Sequence, residues 1–187
     1  GSIDFLAKLR KKRMEKEGSD DSVLKEALLK AVDFSWNFMH PDGSYGGEYG
    51  SRNTFHFYPH GFELLAPLSS KAGQIADSFL QGISKGKRYR NDDDRMTAHY
   101  AYDFLQSWED RTSERPPPIK ESRKEPKTIW LKDSQMIIAR NGREWQNNGG
   151  FHVVVNLSKG GVLKVFDAQG PIASDAGVIG ELEDGTV

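Results

Sequence analysis

The chain has no cysteine. Disulfides, thiolate nucleophiles and cysteine-ligated zinc or iron–sulfur sites are therefore excluded. It also lacks an excess of charge: 26 Lys and Arg stand against 27 Asp and Glu in 187 residues, a formal net charge of −1. That excludes a globally basic nucleic-acid binder, though not a local patch. Long apolar runs are missing too. The longest reach four or five residues, as around Val153-Val154-Val155, against the ~20 that a spanning helix needs. Gly1-Ser2 reads as a cloning scar with no signal-peptide pattern after it, and the compartment is not legible from composition. What is present is a globular composition, 36% hydrophobic and 11% aromatic, in a chain long enough to bury a core.

The pattern changes character along the chain. Residues 3–110 carry helical periodicity, 111–126 form a charged linker with Pro116-Pro117-Pro118, and 127–187 carry strand patterning. A proline run cannot be helical and favours an extended spacer. A first helix is predicted over Ile3–Glu17, with Phe5, Leu6, Leu9 and the Arg13 stem on one face and a cationic remainder of Lys8, Arg10, Lys11, Lys12 and Lys16. The second has Ser22 as its N-cap and runs through Leu24, Leu28, Val32, Trp36 and Met39. It stops at His40-Pro41-Asp42-Gly43 because Pro41 disfavours helical geometry at His40. Further helices are expected from about Pro59, over Ala72–Ser84, and over Asp92–Asp110, where Met96, Tyr100, Phe104 and Trp108 step by four. Strands are expected at Thr128–Leu131, Gln135–Arg140, Phe151–Leu157, Val162–Phe166 and Gly177–Leu182, as an antiparallel meander. Such a sheet would leave open edges, so the chain is expected to be one piece of a larger polypeptide.

Chemistry-bearing residues concentrate between Asp42 and Glu63. This stretch holds Tyr45, Glu48, Tyr49, Arg52, Asn53, His56, His60 and Glu63 among Gly43, Gly46, Gly47 and Gly50. Glycines let the backbone turn sharply and a ligand approach closely, and functional side chains concentrate on loops held by rigid elements. The alternative is a tightly bonded turn with packing tyrosines. His56, His60 and Glu63 also have the four- and three-residue spacings of one helix face, which suits zinc. Pro59 starts the helix between the two histidines and argues against that set, so no metal or other cofactor is expected. Elsewhere, His99 and Asp103 read as a helix-face pair, Asn91–Asp94 as N-terminal capping, and His152 as a core histidine.

The helix ending in Pro41-Asp42-Gly43-Ser44-Tyr45-Gly46-Gly47 resembles the inter-helix turn of α/α-toroid proteins. With a strand half after it, the chain resembles the heparinase II/III-like and alginate-lyase-like polysaccharide lyases. That resemblance implies an α+β architecture, helical hairpins of an α/α-toroid type followed by an antiparallel β-sheet or partial β-sandwich. It implies β-elimination on an acidic polysaccharide: a base removes the proton beside the uronate carboxylate, and an acid protonates the leaving oxygen. The roles it implies are Tyr49 as acid or base with His60 or His56 as partner, and Arg52 and Asn53 on the carboxylate. Glu48 would orient one of these, and Tyr45 would line the substrate. The paired Asn-His of these families on a separate helix is not found. The partner implied is an acidic polysaccharide, with no nucleic acid and no membrane span, and the location periplasmic or extracellular. The other reading is a non-catalytic glycan-binding or structural module of the same architecture.

Overall fold

The computed structural model describes residues 2–50, 57–86, 94–119, 126–141, 150–167 and 170–175, and of residues 94–97 and 99 the backbone alone. The chain divides into two compact units, one of Gly1–Met39 with His56–Lys120 and the other of His40–Phe55 with Glu121–Val187. The segment His40–Phe55 thus belongs with the strands, although it lies between helices in sequence. The described architecture is α+β, with five α-helices and one five-stranded antiparallel sheet. No helix among the described residues is long and apolar enough to cross a membrane.

The helical unit contains α1 (Ser2–Glu17), α2 (Ser22–Trp36), α3 (His60–Leu65), α4 (Ser70–Ser84) and α5 (Asp94–Glu109). The cap of α2 is Asp21 and not Ser22: the Asp21 carboxylate accepts from the Leu24 N–H at 3.0 Å. A carboxylate satisfies the orphan N–H and also complements the positive helix end. The helix stops at Trp36, short of Met39, because the His40 N–H is drawn into the following turn by the Ser44 carbonyl. Pro59 precedes α3 as expected, and Ser69 caps α4 through the Ala72 N–H.

Two faces differ from their predicted orientation. On α1, Phe5 points to solvent at 67% exposure while Ala7 and Arg10 are buried. The reason is backbone contact: a Cβ at Gly61 of α3 would fall 2.5 Å from the Asp4 Cα, so α1 lies directly on the glycine. On α5, Trp108 is 80% exposed, whereas Tyr100, Asp103 and Ser107 face inward. Polar bonds decide this orientation, since the Asp103 carboxylate accepts from the His60 N–H and the Ser107 hydroxyl donates to the Asp103 carbonyl.

The cations of α1 are matched internally. Arg10 forms a two-pronged bridge to Asp20 at 2.7 Å for each bond, Lys8 pairs with Asp4, Lys11 with Asp110 and Arg13 with Asp21. The solvated-face interpretation of this helix therefore holds better than an anion-binding one for these four residues.

The strand unit is the meander β1 (Lys127–Leu131), β2 (Met136–Arg140), β3 (His152–Asn156), β4 (Val162–Asp167) and β5 (Gly170–Asp175), each paired with the next. Alternation puts Met136 and Ile138, then His152, Val154 and Asn156, then Val162, Lys164 and Phe166 on one buried face. Register aligns these residues in rungs, such as Ile138 beside Val154 beside Lys164. The expected strand over Gly177–Leu182 lies outside the described residues. The fifth strand found, β5, escaped prediction because Pro171, Ser174 and Asp175 read as turn residues. It is an outer strand of the described sheet, where a missing N–H is tolerated.

Candidate functional site

The strand unit carries a hydrogen-bonded chain of side chains in the glycine-rich turn. Asp42 Oδ1 accepts from the Ser44 N–H at 2.9 Å and from its hydroxyl at 2.6 Å. Ser44 Oγ lies 2.8 Å from His40 Nδ1, and His40 Nε2 lies 2.6 Å from the Tyr49 hydroxyl. Gly43 and Gly46 make the turn possible, with φ of 78° and 81°, a region that side chains beyond Cβ disfavour. The imidazole stacks on Phe166 of β4 with centroids 3.9 Å apart. The turn is fastened to the buried sheet face by three polar residues: Asn156 Nδ2 donates to the Tyr49 carbonyl, Lys164 Nζ to Glu48 Oε2 at 2.8 Å, and Lys159 Nζ to the Glu48 and Gly50 carbonyls.

Electrostatics distinguish the members. Burial, with the neighbouring Tyr45 and acids, pushes Tyr49 well above the ordinary phenol range, so its hydroxyl stays protonated and is a proton donor. Burial alone would raise Glu48, but the bond from Lys164 outweighs it and holds the carboxyl below its usual value. Tyr49 is 3% exposed and His40 1%, so the pair meets solvent very little. Tyr45 and Glu48 are half-buried.

The helical unit holds a second cluster. His60, at the first position of α3, is buried, with Nε2 2.7 Å from Asp110 Oδ2 and Nδ1 3.4 Å from Asp4 Oδ1. Burial disfavours the imidazolium, yet the bonds to Asp4 and Asp110 prevail and its pKa is raised. Asp103, buried beneath, is pushed up to about 6 by its desolvation. Glu63 of the same helix is likewise raised by burial, despite ion pairs to Arg115 and Arg111. Near these arginines Trp108 flanks an open hollow of about 460 Å³, also lined by Asp77, Thr112 and Ser113.

Of the residues singled out in sequence, Tyr49, Glu48 and Tyr45 come together on the turn of the strand unit. His60 belongs to the helical unit with Asp4, Asp103 and Asp110 around it. Arg52, Asn53 and His56 lie outside the described residues, as do Asn91–Asp93 and the His99 side chain. His152 is buried on the sheet face, 6.1 Å from the His40 ring. Sequence reading passed over His40, Ser44, Asn156 and Lys164. One signal was available: Lys164 falls between Val162 and Phe166 at the spacing of an inward face, and a lysine there needs a partner.

The fold and site together define a mixed α+β protein with a histidine–tyrosine turn packed on an antiparallel sheet. Comparison with family models, curated proteins and solved structures finds no match.

Proposed function

We propose that the protein is carbohydrate-active, a lyase that cleaves an acidic polysaccharide by β-elimination within an α/α-toroid and β-sandwich architecture. The observation that carries this is the Asp42–Ser44–His40–Tyr49 chain, which ends on a protonated phenol bonded to an imidazole at 2.6 Å. β-Elimination needs one group to take the proton beside the uronate carboxylate and another to protonate the departing glycosidic oxygen. Tyr49 suits the second task, since its hydroxyl retains its proton at neutral pH. His40 is held by Ser44 on one nitrogen and Tyr49 on the other, and can return a proton to the phenolate left after transfer. Its tautomer follows from which of the two neighbours donates. Arg52 and Asn53 are assigned to the uronate carboxylate from the sequence resemblance. Access to the Tyr49 hydroxyl requires the turn to shift from the buried arrangement described.

A second reading, a glycan-binding module without catalysis, is favoured by two observations. Tyr49 and His40 are buried in the manner of a structural clasp. The helical unit offers a sugar platform of its own, the exposed Trp108 indole beside Arg111, Thr112, Ser113 and Arg115. Both arginines already pair with Glu63 and Asp77, so that hollow suits ring faces and hydroxyls more than a carboxylate.

The experiment is to incubate the intact protein with a panel of uronate polysaccharides and follow ultraviolet absorption of the unsaturated product. The lyase proposal expects a steady rise on at least one substrate. Binding of glycans that is weakened by Trp108→Ala, with no unsaturated product from any substrate, establishes the second reading instead.

A further inference from the structure

We propose that Asp4, His60 and Asp103 form a binding site for a divalent transition-metal cation of the zinc class within the helical unit. Three helices supply one ligand each: Asp4 from the first turn of α1, His60 from the start of α3, and Asp103 from the inward face of α5. Asp4 Oδ1, His60 Nδ1 and an Asp103 carboxylate oxygen lie within 4.8 Å of one another. The argument rests on which atoms are satisfied. Each residue has its outer atom engaged: Asp4 Oδ2 accepts from Lys8 at 3.0 Å, His60 Nε2 is bonded to Asp110 at 2.7 Å, and Asp103 Oδ2 accepts from the His60 N–H at 3.2 Å.

Each has its inner atom, Asp4 Oδ1, His60 Nδ1 and Asp103 Oδ1, buried without a hydrogen bond. His60 and Asp103 are only 2% and 3% exposed. Buried polar atoms are almost always bonded, and three such atoms converging on one point are explained together by a cation between them.

The chemistry fits. Two carboxylates and an imidazole suit zinc, manganese or ferrous iron. Ligand bonds of about 2.0–2.2 Å place tetrahedral donors about 3.3–3.6 Å apart, and His60 Nδ1 and Asp4 Oδ1 are already 3.4 Å apart. Asp110 supplies the outer carboxylate that metal-ligating histidines usually carry on their other nitrogen, and Lys11 in turn holds Asp110. In that state Nε2 carries the proton and Nδ1 presents its lone pair. Lys8, 3.9 Å from Asp103 Oδ1, is the cation that competes for the site and must withdraw as the metal enters. Gly61 permits the close seating of α1 that brings Asp4 to His60. The site stands independently of the lyase proposal, because it uses none of the residues in the turn.

The test strips the intact protein with a chelator, adds zinc alone, and measures bound metal by equilibrium dialysis with elemental analysis. One zinc per chain is expected. Asp4→Asn and Asp103→Asn keep size and shape and should each weaken zinc at least tenfold. Asp110→Asn, which alters only the outer partner, should weaken it about 10–100-fold. Circular dichroism checks that each variant is folded. Cobalt substitution of the parent protein gives a measurement that needs no variant: the proposal expects the visible absorption of low-coordinate cobalt bound through nitrogen and oxygen. A parent protein that retains no zinc overturns the proposal and leaves His60 as an imidazolium between Asp110 and Asp4. Undiminished zinc binding by folded Asp4→Asn and Asp103→Asn overturns it as well, since the metal then sits elsewhere.

Discussion

Single residues decide more of this molecule than their chemical type advertises. Gly61 is read in sequence only as a spacer between His60 and Phe62, yet it is where α1 touches α3. A Cβ there would lie 2.5 Å from the Asp4 Cα and 2.7 Å from the Asp4 nitrogen. Those are backbone atoms, which cannot rotate away as a side-chain tip could. Gly61→Ala is therefore expected to destabilise the helical unit by about 1–3 kcal/mol through overpacking, read as a lower urea midpoint. An unchanged midpoint would mean that α1 does not seat on α3 as described. Much of the candidate chemistry at this scale was legible: the turn from Asp42 to Glu63 stood out because its acids, tyrosines and histidines crowd among glycines. His40 was not, because it reads as the stop signal before Pro41. Its role depends on Ser44 and Tyr49 folding back onto it, and periodicity carries no information about such a return.

At the scale of elements, the existence of helices and strands followed from periodicity, while the faces of α1 and α5 did not. The four-residue steps Met96, Tyr100, Phe104 and Trp108 are a fair apolar stripe on paper. In the fold, Tyr100, Asp103 and Ser107 take the inward side because the Asp103 carboxylate and the Ser107 hydroxyl find bonds there. A satisfied buried carboxylate thus outranks a large apolar ring left outside, and sequence hydrophobicity cannot weigh that. Trp108→Ala should accordingly leave unfolding stability within about 0.5 kcal/mol of the parent, as for an ordinary surface substitution. A loss of several kcal/mol, of the size expected for a buried tryptophan, would show that the indole is packed in solution. The sheet was easier to read, since alternation in Met136–Arg140, His152–Asn156 and Val162–Asp167 matches the buried face of the finished sheet. Only β5 was hidden by its proline and polar residues.

For the whole molecule, the distribution of shifted carboxyls predicts how stability changes with pH. Asp4, Asp110 and Glu48 have lowered values in the folded chain: burial opposes this, but bonds to His60 and Lys8, to Lys11 and His60, and to Lys164 outweigh it. Exposed Asp20 and Asp21 are lowered as well, by Arg10 and by the Leu24 N–H. A carboxyl lowered on folding stabilises above its unfolded value, near 3.8 for Asp and 4.5 for Glu, and that stabilisation is lost as pH falls through the folded value. Asp103 has the opposite sign, since its contribution fades as pH rises from 3.8 through about 6. Five lowered groups against Asp103 and Glu63 predict a net fall in stability on acidification below about pH 4.5, seen as a lower melting temperature in a pH series. A melting temperature that rises steadily to pH 3 would contradict the ion-pair assignments. The central claim concerns catalysis, and one comparison tests it most directly: the rate of unsaturated-product formation by Tyr49→Phe against the parent, on a uronate polysaccharide that the parent cleaves. The phenylalanine keeps the ring and removes only the transferable proton. The account predicts a rate lower by ~10²–10⁴-fold with the unfolding midpoint showing the variant still folded, whereas a Tyr49→Phe protein that forms product at the parental rate would contradict it.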